Sequence, residues 1–594
     1  MKKLFALLLA CSAITAFAST SISTTTVSGH WDLAGSPYLI NNNIQVDAST
    51  SLAIDPGVEV IFQGSYRLSV TGILYAVGTS AMPISFHVND TTGWWDDHST
   101  AGGWQGIYYN RYTGSGPDTS ILKYCNIYES KIDSATGLYA SGRSITLRRG
   151  LSLVNCNIYN NKGLYSNLIM SVPTLATAVI EISNCNIYNN NYNRALCGLN
   201  NFGHGTTYLH NNHFYGNTAT EIVAGYAIEF RIENNEFNNN TSQDGTLLLT
   251  DASSSTAMNS NGVISGNRIH HNTNYGDGAL RCMSGRIDIK NNFIYNNHHT
   301  SGACGAVEGG GGINVGHNAA TPMDSTFYTI HNNIIANNYS SFHGGAISIF
   351  YGHVAITNNQ IINNQAPNGG AIYMIDTMPL ICKNNIFYGN IHTGNTVATS
   401  AILEGLATST VEFTNNWHQH SSLIDLNGIM GGYVAIGDTN TNINGLTPNM
   451  VAPTLTAYYT EDADSADFSL LTTSSCLDKG DITGITIDSL DYYGNLRICG
   501  STIDIGAYEY CNTALNTPTL TQNDLIIYPN PAGSELNITS SASQKDIIIT
   551  NLLGQELVHQ QSNATSVSLN IAPLASGIYL IKVNGTETRK FVKE

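Results

Sequence analysis

A six-residue pattern recurs ten times between Cys125 and Asn390, and it restricts the fold more than any other feature of the chain. It reads CNIYES from Cys125, CNIYNN from Cys156 and again from Cys185, NHFYGN from Asn212, NEFNNN from Asn235, NRIHHN from Asn267, NFIYNN from Asn292, NIIANN from Asn333, NQIINN from Asn359 and NIFYGN from Asn385. The third position is apolar in every copy, from Ile127 to Phe387, and successive copies lie 23 to 41 residues apart. A unit of that size cannot bury an apolar face alone and must stack on its neighbours as a solenoid. Apolar residues alternate around each copy, as at Ile347 and Ile349 or Val354 and Ile356. That is the period of a strand, and the Asn-Asn and Gly-Gly pairs between are turn signals. The expected fold is therefore all-β: a parallel β-helix with one coil per repeat, stacked ~4.8 Å apart.

The columns of this alignment carry distinct expectations. Position six is Asn161, Asn190, Asn217, Asn240, Asn272, Asn297, Asn338, Asn364 and Asn390 on nine consecutive coils. Asparagine tolerates left-handed backbone, and its amide both donates and accepts, so this column is expected to form the turns and an inter-coil ladder. Position one begins Cys125, Cys156 and Cys185, where side chains pointing the same way suit a thiol ladder better than disulfides. Cys382 falls in the apolar column of Ile330 and Ile356 and is expected to be a buried small hydrophobe.

Composition narrows the function classes. Only 11% of the 594 residues are charged, and the net charge is −18. Such a surface repels nucleic acid and anionic membranes. MKKLFALLLACSAITAFAST reads as a secretory signal over residues 1–18, and its removal with Lys2 and Lys3 takes the net charge to −20. A lipoprotein box ending at Cys11 is the alternative reading of that segment. No later segment is apolar for the ~18 residues of a membrane span.

Several segments resemble known families. The repeats over roughly residues 100 to 425 resemble bacterial right-handed parallel β-helix proteins of the pectate-lyase-like superfold. Gly344-Gly345-Ala346-Ile347 and Gly369-Gly370-Ala371-Ile372, with Phe214-x-x-Asn217 and Phe387-x-x-Asn390, look like the repeat of chlamydial polymorphic outer-membrane adhesins. Ser51 to His87 with Gly102 to Ile107 resembles the first coils of secreted β-helices, and Asp491 to Asn495 with Ile503 to Glu509 resembles their closing segment. Both are expected to cap coil ends, giving first coils at 19–104, repeats at 105–425 and closing coils at 426–511. In the last of these, Asp491 and Asn495 form either a turn or a calcium site, and any disulfide among Cys476, Cys499 and Cys511 is left open.

After a polar linker at 512–524, residues 525–594 alternate as about seven short strands, the pattern of a small C-terminal β-sandwich. Tyr528-Pro529-Asn530-Pro531, Asn551 to Gln555, Ser576 to Tyr579 and Arg589-Lys590-Phe591 resemble the type A C-terminal sorting domain of the type IX secretion system of Bacteroidetes. That resemblance implies the type IX machinery as a partner and passage across the outer membrane, with the product released or attached at the cell surface.

Candidate functional residues lie on outward columns and bulging loops. Position four supplies Tyr128, Tyr159, Tyr188 and Tyr215 on successive coils, with Tyr295 and Tyr388 further along. Their rings either stack on sugars or on one another. Position two supplies His213, Glu236 and Arg268, flanked by Arg231, Glu233, His270 and His271. A glycosidase needs two carboxylates ~5–9.5 Å apart, for which Glu233 and Glu236 are the candidates, and a lyase needs a base with cationic support, for which Arg231, Arg268 and His270 are; His213 joins the tyrosines as a glycan-binding candidate, and ordinary cross-strand pairing is the simpler account of the group. Glu308 and His317 beside a glycine run, and Asp96-Asp97-His98 after two tryptophans, are weaker candidates, and no metal site is expected. The whole reads as an exported surface β-helix that binds polysaccharide or a host surface glycan, with a lyase or glycosidase acting on an acidic polysaccharide as the alternative.

Overall fold

The computed structural model describes residues 19–593 apart from 98, 110–119, 133–142, 148–151, 165, 172–178, 201–204, 227–228, 251–260, 284, 301–308, 318–325, 377, 395–401, 408–410, 420–440, 445–446, 457–460, 512–525, 531, 540–544, 552–554, 565 and 584–586. The signal segment with Cys11, the linker, His98 and Glu308 lie outside the described residues. The chain divides into two compact units, with the boundary in sequence between Cys511 and Asn512.

The first unit is a parallel β-helix. One face is a sheet of 16 strands and a second a sheet of 14, each strand pairing with its counterpart one coil away. The third face holds two files of shorter strands, which merge because Thr218–Tyr226 and Thr241–Thr250 run through both. Register follows the sequence alignment without a slip: Ile127 pairs with Ile158, Ile158 with Ile187, Ile187 with Phe214, and so on to Ile361 with Phe387. Coils begin earlier than the repeat motif, since Thr20–Ile22 already pairs with Tyr38–Ile40. Inward side chains of all three faces share one apolar core, including Ile127, Phe214, Ile330 and Cys382.

Each Asn-Asn pair divides two tasks between its members. The first residue takes the left-handed backbone, with φ of 54° at Asn160, 53° at Asn189 and 50° at Asn296. The second stays outside that region and makes the ladder, which corrects the expectation that position six does both. Asn190 Oδ1 accepts from the backbone N and the Nδ2 of Asn161, both at 3.0 Å. Its own Nδ2 donates to Asn217 Oδ1 at 3.0 Å and to Ile158 O at 3.0 Å. Every polar atom of the amide is matched, and the column is buried throughout. Position one forms a second ladder of the same design, from Asn212 through Asn235 and Asn267 to Asn416. Its entering residues are again left-handed, as at Asn155 and Asn184.

The cysteines play apolar roles. Cys125, Cys156 and Cys185 are buried free thiols that continue the position-one column, and Cys382 pairs with Ile356 in the core. Burial pushes the Cys125 and Cys185 thiols up, away from the reactive range. Cys499 and Cys511 form a disulfide, and Cys476 is free.

Residues 450–511 depart from the expected end cap. They fold back along the outer face of the 16-stranded sheet as a strap. Met450, Phe468, Leu470, Ile505 and Tyr508 bury against Phe293, Ile334, Ile362, Ile386 and Trp417, which point outward from that sheet. Asn384 Nδ2 donates to Asp481 O and Asn363 Nδ2 to Thr454 O, so turn asparagines also hold the strap. Lys383, nearly buried, donates to Asp481 at 2.6 Å. Burying one large apolar side chain contributes ~1.5–3 kcal/mol, against ~0–1 kcal/mol for an exposed ion pair, so the apolar column dominates docking. Asp491 closes a turn by accepting from Asn495 N at 2.7 Å and from Glu509 N at 2.9 Å.

The second unit has two antiparallel sheets of three and four strands around Leu536, Ile538, Ile549, Ile581 and Phe591. That is the expected β-sandwich.

Two measurements test these assignments. Asn161→Ala strands Ser130 N and Ile127 O; at ~1–3 kcal/mol per orphaned buried group it should destabilise by about 3 kcal/mol. Asn160→Gly, one residue earlier, should change stability by less than ~1 kcal/mol, because glycine also accepts the left-handed backbone; urea unfolding of both variants checks the contrast. The hydrogen bond from Lys383 holds the Asp481 carboxyl down at about 2. A depressed carboxyl stabilises above its unfolded value of ~3.9 and loses that contribution as pH falls through the folded value. The protection of the strap's amides against hydrogen exchange, relative to the unstructured rate at the same pH, should therefore fall between pH 4 and pH 2, and Asp481→Asn should flatten that fall.

Candidate functional site

The tyrosine file forms as the spacing suggests. Tyr128, Tyr159, Tyr188 and Tyr215 stack with ring centroids 4.9, 4.9 and 4.8 Å apart and planes within 8° of parallel. His87 closes the upstream end, 4.8 Å from Tyr128. Each ring face is therefore covered by the next ring, and the hydroxyl edges are what face outward. Burial pushes the Tyr128 hydroxyl up to about 12, so it is uncharged at neutral pH. Asn126, Asn157 and Asn186 run beside the file as an outer amide ladder with 2.9 Å steps.

The position-two ionisable column is also assembled, but its charges meet one another. Glu236 Oε1 lies 3.0 Å from His270 Nε2 and 3.9 Å from Arg268 Nε, and its Oε2 lies 3.8 Å from His213. Arg268 reaches on to Asp464 of the strap at 2.5 Å, and Tyr295 donates to the same carboxylate at 2.6 Å. The bond from Tyr295, then Arg268, holds the Asp464 carboxyl below its ordinary value. Burial holds the His270 imidazole below its ordinary value. The column thus fastens neighbouring coils to the far end of the strap.

Arg231 and Glu233 stand apart from this group. They occupy the neighbouring sheet, on Glu229–Glu233, and pair with each other at 3.3 Å. Among the described residues neither makes a polar contact with Glu236. The left-handed corner at Asn234 turns the chain between the two sheets, so Glu233 and Glu236 face different sides.

A groove that the sequence reading missed lies at another corner, over the short strands that come after position six. Two cavities, of about 480 and about 110 Å³, both reach Asn193. The smaller is bordered by Asp97, Lys131, Lys162 and Asn191; the larger by Tyr192, Thr218, Thr241, Gln243, Asp244 and Tyr275. Consecutive coils supply these residues in register: Lys131 pairs with Lys162, Lys162 with Asn191, Asn191 with Thr218, and Thr218 with Thr241. Lys131, buried, donates to Gly93 O at 2.6 Å and Ala101 O at 2.8 Å, which pins the loop before it. On that loop Trp94 lies 5.1 Å beneath the Lys162 ammonium, and Trp95 is 90% exposed. Tyr275, at the other end, is 50% exposed. The available signals were the Trp94-Trp95 pair and the threonines Thr218, Thr241 and Thr273, one step past three successive ladder asparagines.

The last residues decide where the protein acts. Residues 526–594 match the secretion system C-terminal sorting domain. The C-terminal unit is a sorting domain of the type IX secretion system. It directs the chain across the outer membrane to the cell surface or the extracellular space, with the secretion machinery as its partner. No curated protein matches the chain. Among the described residues no helix is long and apolar enough to cross a membrane.

Deleting residues 526–594 in a host with a type IX system should leave the solenoid in the periplasm. Fractionation with an antibody to residues 19–511 checks this, and normal surface display of the truncated chain would refute the assignment.

Proposed function

We propose that the exported solenoid is a carbohydrate-binding protein of the cell surface or its surroundings, serving adhesion. The observation that carries this reading is the groove from the Trp94-Trp95 loop to Tyr275. Its wall includes the hydroxyls of Thr218 and Thr241 and the amides of Asn191, Asn193 and Gln243, which donate and accept as sugar hydroxyls do. Exposed aromatic rings near both ends offer apolar faces to the C–H side of a pyranose. Adjacent coils repeat the same short strand, so the lining presents similar groups at ~4.8 Å steps, an arrangement suited to a polymer. The tyrosine file is the secondary candidate, through its hydroxyl edges.

Retention of the secreted protein on immobilised polysaccharides tests the reading. At least one column should retain the wild type. Trp95→Ala with Tyr275→Ala should weaken retention about tenfold, equivalent to ~1.4 kcal/mol. Tyr159→Ala with Tyr188→Ala should leave it within about twofold. Failure of every polysaccharide to retain the wild type would end the proposal.

A further inference from the structure

The charges around the groove limit what it can take. Lys131 and Lys162 are the cations that border it. The Lys131 ammonium is engaged by two backbone carbonyls and the residue is 2% exposed. The Lys162 ammonium is matched by Asp97 at 2.6 Å. Asp244, by contrast, is an exposed carboxylate on the wall of the larger cavity, with no ion pair among the described residues. Arg194, the next cation along the chain, lies within electrostatic reach of Glu221, as does Arg281. Arg281 is itself joined to the buried Asp277.

Asp244 also acts on a neighbouring carboxyl, Glu221. Glu221 is buried two residues beyond the groove residue Ala219, and its carboxyl is pushed up to about 7, first by burial and then by the charge of Asp244. Arg281 and Arg194 act in the opposite direction. The protein as a whole carries a net charge of −18.

We propose that the groove binds an uncharged polysaccharide chain, seated across the coils with one sugar ring on Tyr275. This rests on the carbohydrate-binding reading and narrows it. A uronate or sulfated chain would set one anion per residue or two against Asp244 and a negative surface, with both bordering ammonium groups already engaged. An uncharged chain meets no such opposition. Its hydroxyls face Thr218, Thr241, Gln243 and Asn193, and Asp244 accepts from a pair of neighbouring hydroxyls. This places the preferred ligand outside the acidic polysaccharides that the sequence suggested as enzyme substrates.

Affinity electrophoresis of the secreted full-length protein tests the proposal, with β-glucan, mannan and starch as neutral probes and polygalacturonate and alginate as acidic ones. The wild type should bind a neutral chain, with affinity changing less than about twofold between ~20 and ~200 mM salt, because no charge pair is made. Tyr275→Ala should weaken that binding about tenfold, and Tyr275→Phe should retain it. Asp244→Lys should add binding to an acidic probe that the wild type does not show. Preference of the wild type for an acidic chain, falling steeply with salt, would overturn the charge argument while leaving carbohydrate binding intact. Neutral-chain binding indifferent to Tyr275→Ala would move the site elsewhere and overturn the placement. Binding to no probe in either class would overturn both readings together.

Discussion

The structure depends on a buried amide stacked on its own copy one coil away. A parallel solenoid must turn its chain sharply at every corner, and each corner leaves backbone groups facing inward that no strand can satisfy. Asparagine meets this need without charge. Asn217 accepts from the backbone and side chain of Asn190, donates to Asn240 and donates to Ile187 O, all inside the corner. The residue before it takes the left-handed backbone, leaving the ladder residue free of that strain. Two such ladders flank the strands of the 16-stranded sheet from His213–Tyr215 to Ile386–Tyr388 and fix their register, so a side chain at a given motif position lies on one line along those coils.

That alignment turns sequence columns into surfaces. On early coils the outward columns are Asn126, Asn157 and Asn186 beside the stacked tyrosines, a polar face that needs no cover. From Phe293 onward the same column becomes Phe293, Ile334, Ile386 and Trp417, and there the strap lies over it. The ion pairs of Glu236, Arg268 and Asp464 sit where one regime gives way to the other. Their chemistry suits a junction, since every charged group in them has a partner. The groove lies on a different corner, over short strands such as Lys162–Gly163.

Much of the fold was legible because repetition exposes it. Ten aligned copies identify an inward residue, a turn residue and a coil period, and the pairing from Ile127 to Phe387 obeys them. The sorting domain was legible for a different reason, as several short motifs occur in order within one module. The left-handed residue was assigned one place too late, because both members of an Asn-Asn pair can adopt that backbone and only the ladder separates them. The strap was read as an end cap, because its sequence does not repeat and shows only that it must cover something. The switch of position two from Asn186 to Phe293 was the signal that it covers a flank. The groove was missed because it is built from residues beyond the six-residue motif: Thr218 and Thr241 stand one place past the ladder asparagines, and Asn193, Gln243 and Tyr275 three places past them. Arg231 and Glu233 were grouped with Glu236 by nearness in sequence, which a corner at Asn234 cancels.

The two units keep separate cores, and this bears on how export and function coexist. Among the described residues, the apolar cluster around Leu536 and Phe591 draws on none before Ile527, and the clusters of the solenoid draw on none after Tyr510. The strap ends at Cys511, tied to Cys499 by a disulfide just before the linker begins. Among the described residues, those from 526 onward supply no side chain to either solenoid cluster. The last coils of the solenoid are covered by Ile505, Ala507 and Tyr508. A chain that exposed its core on losing an export tag would aggregate at the surface it was sent to. Here the ladders, the strap and the groove all lie upstream of that linker, so the part that stays is a complete fold carrying its own candidate binding surface.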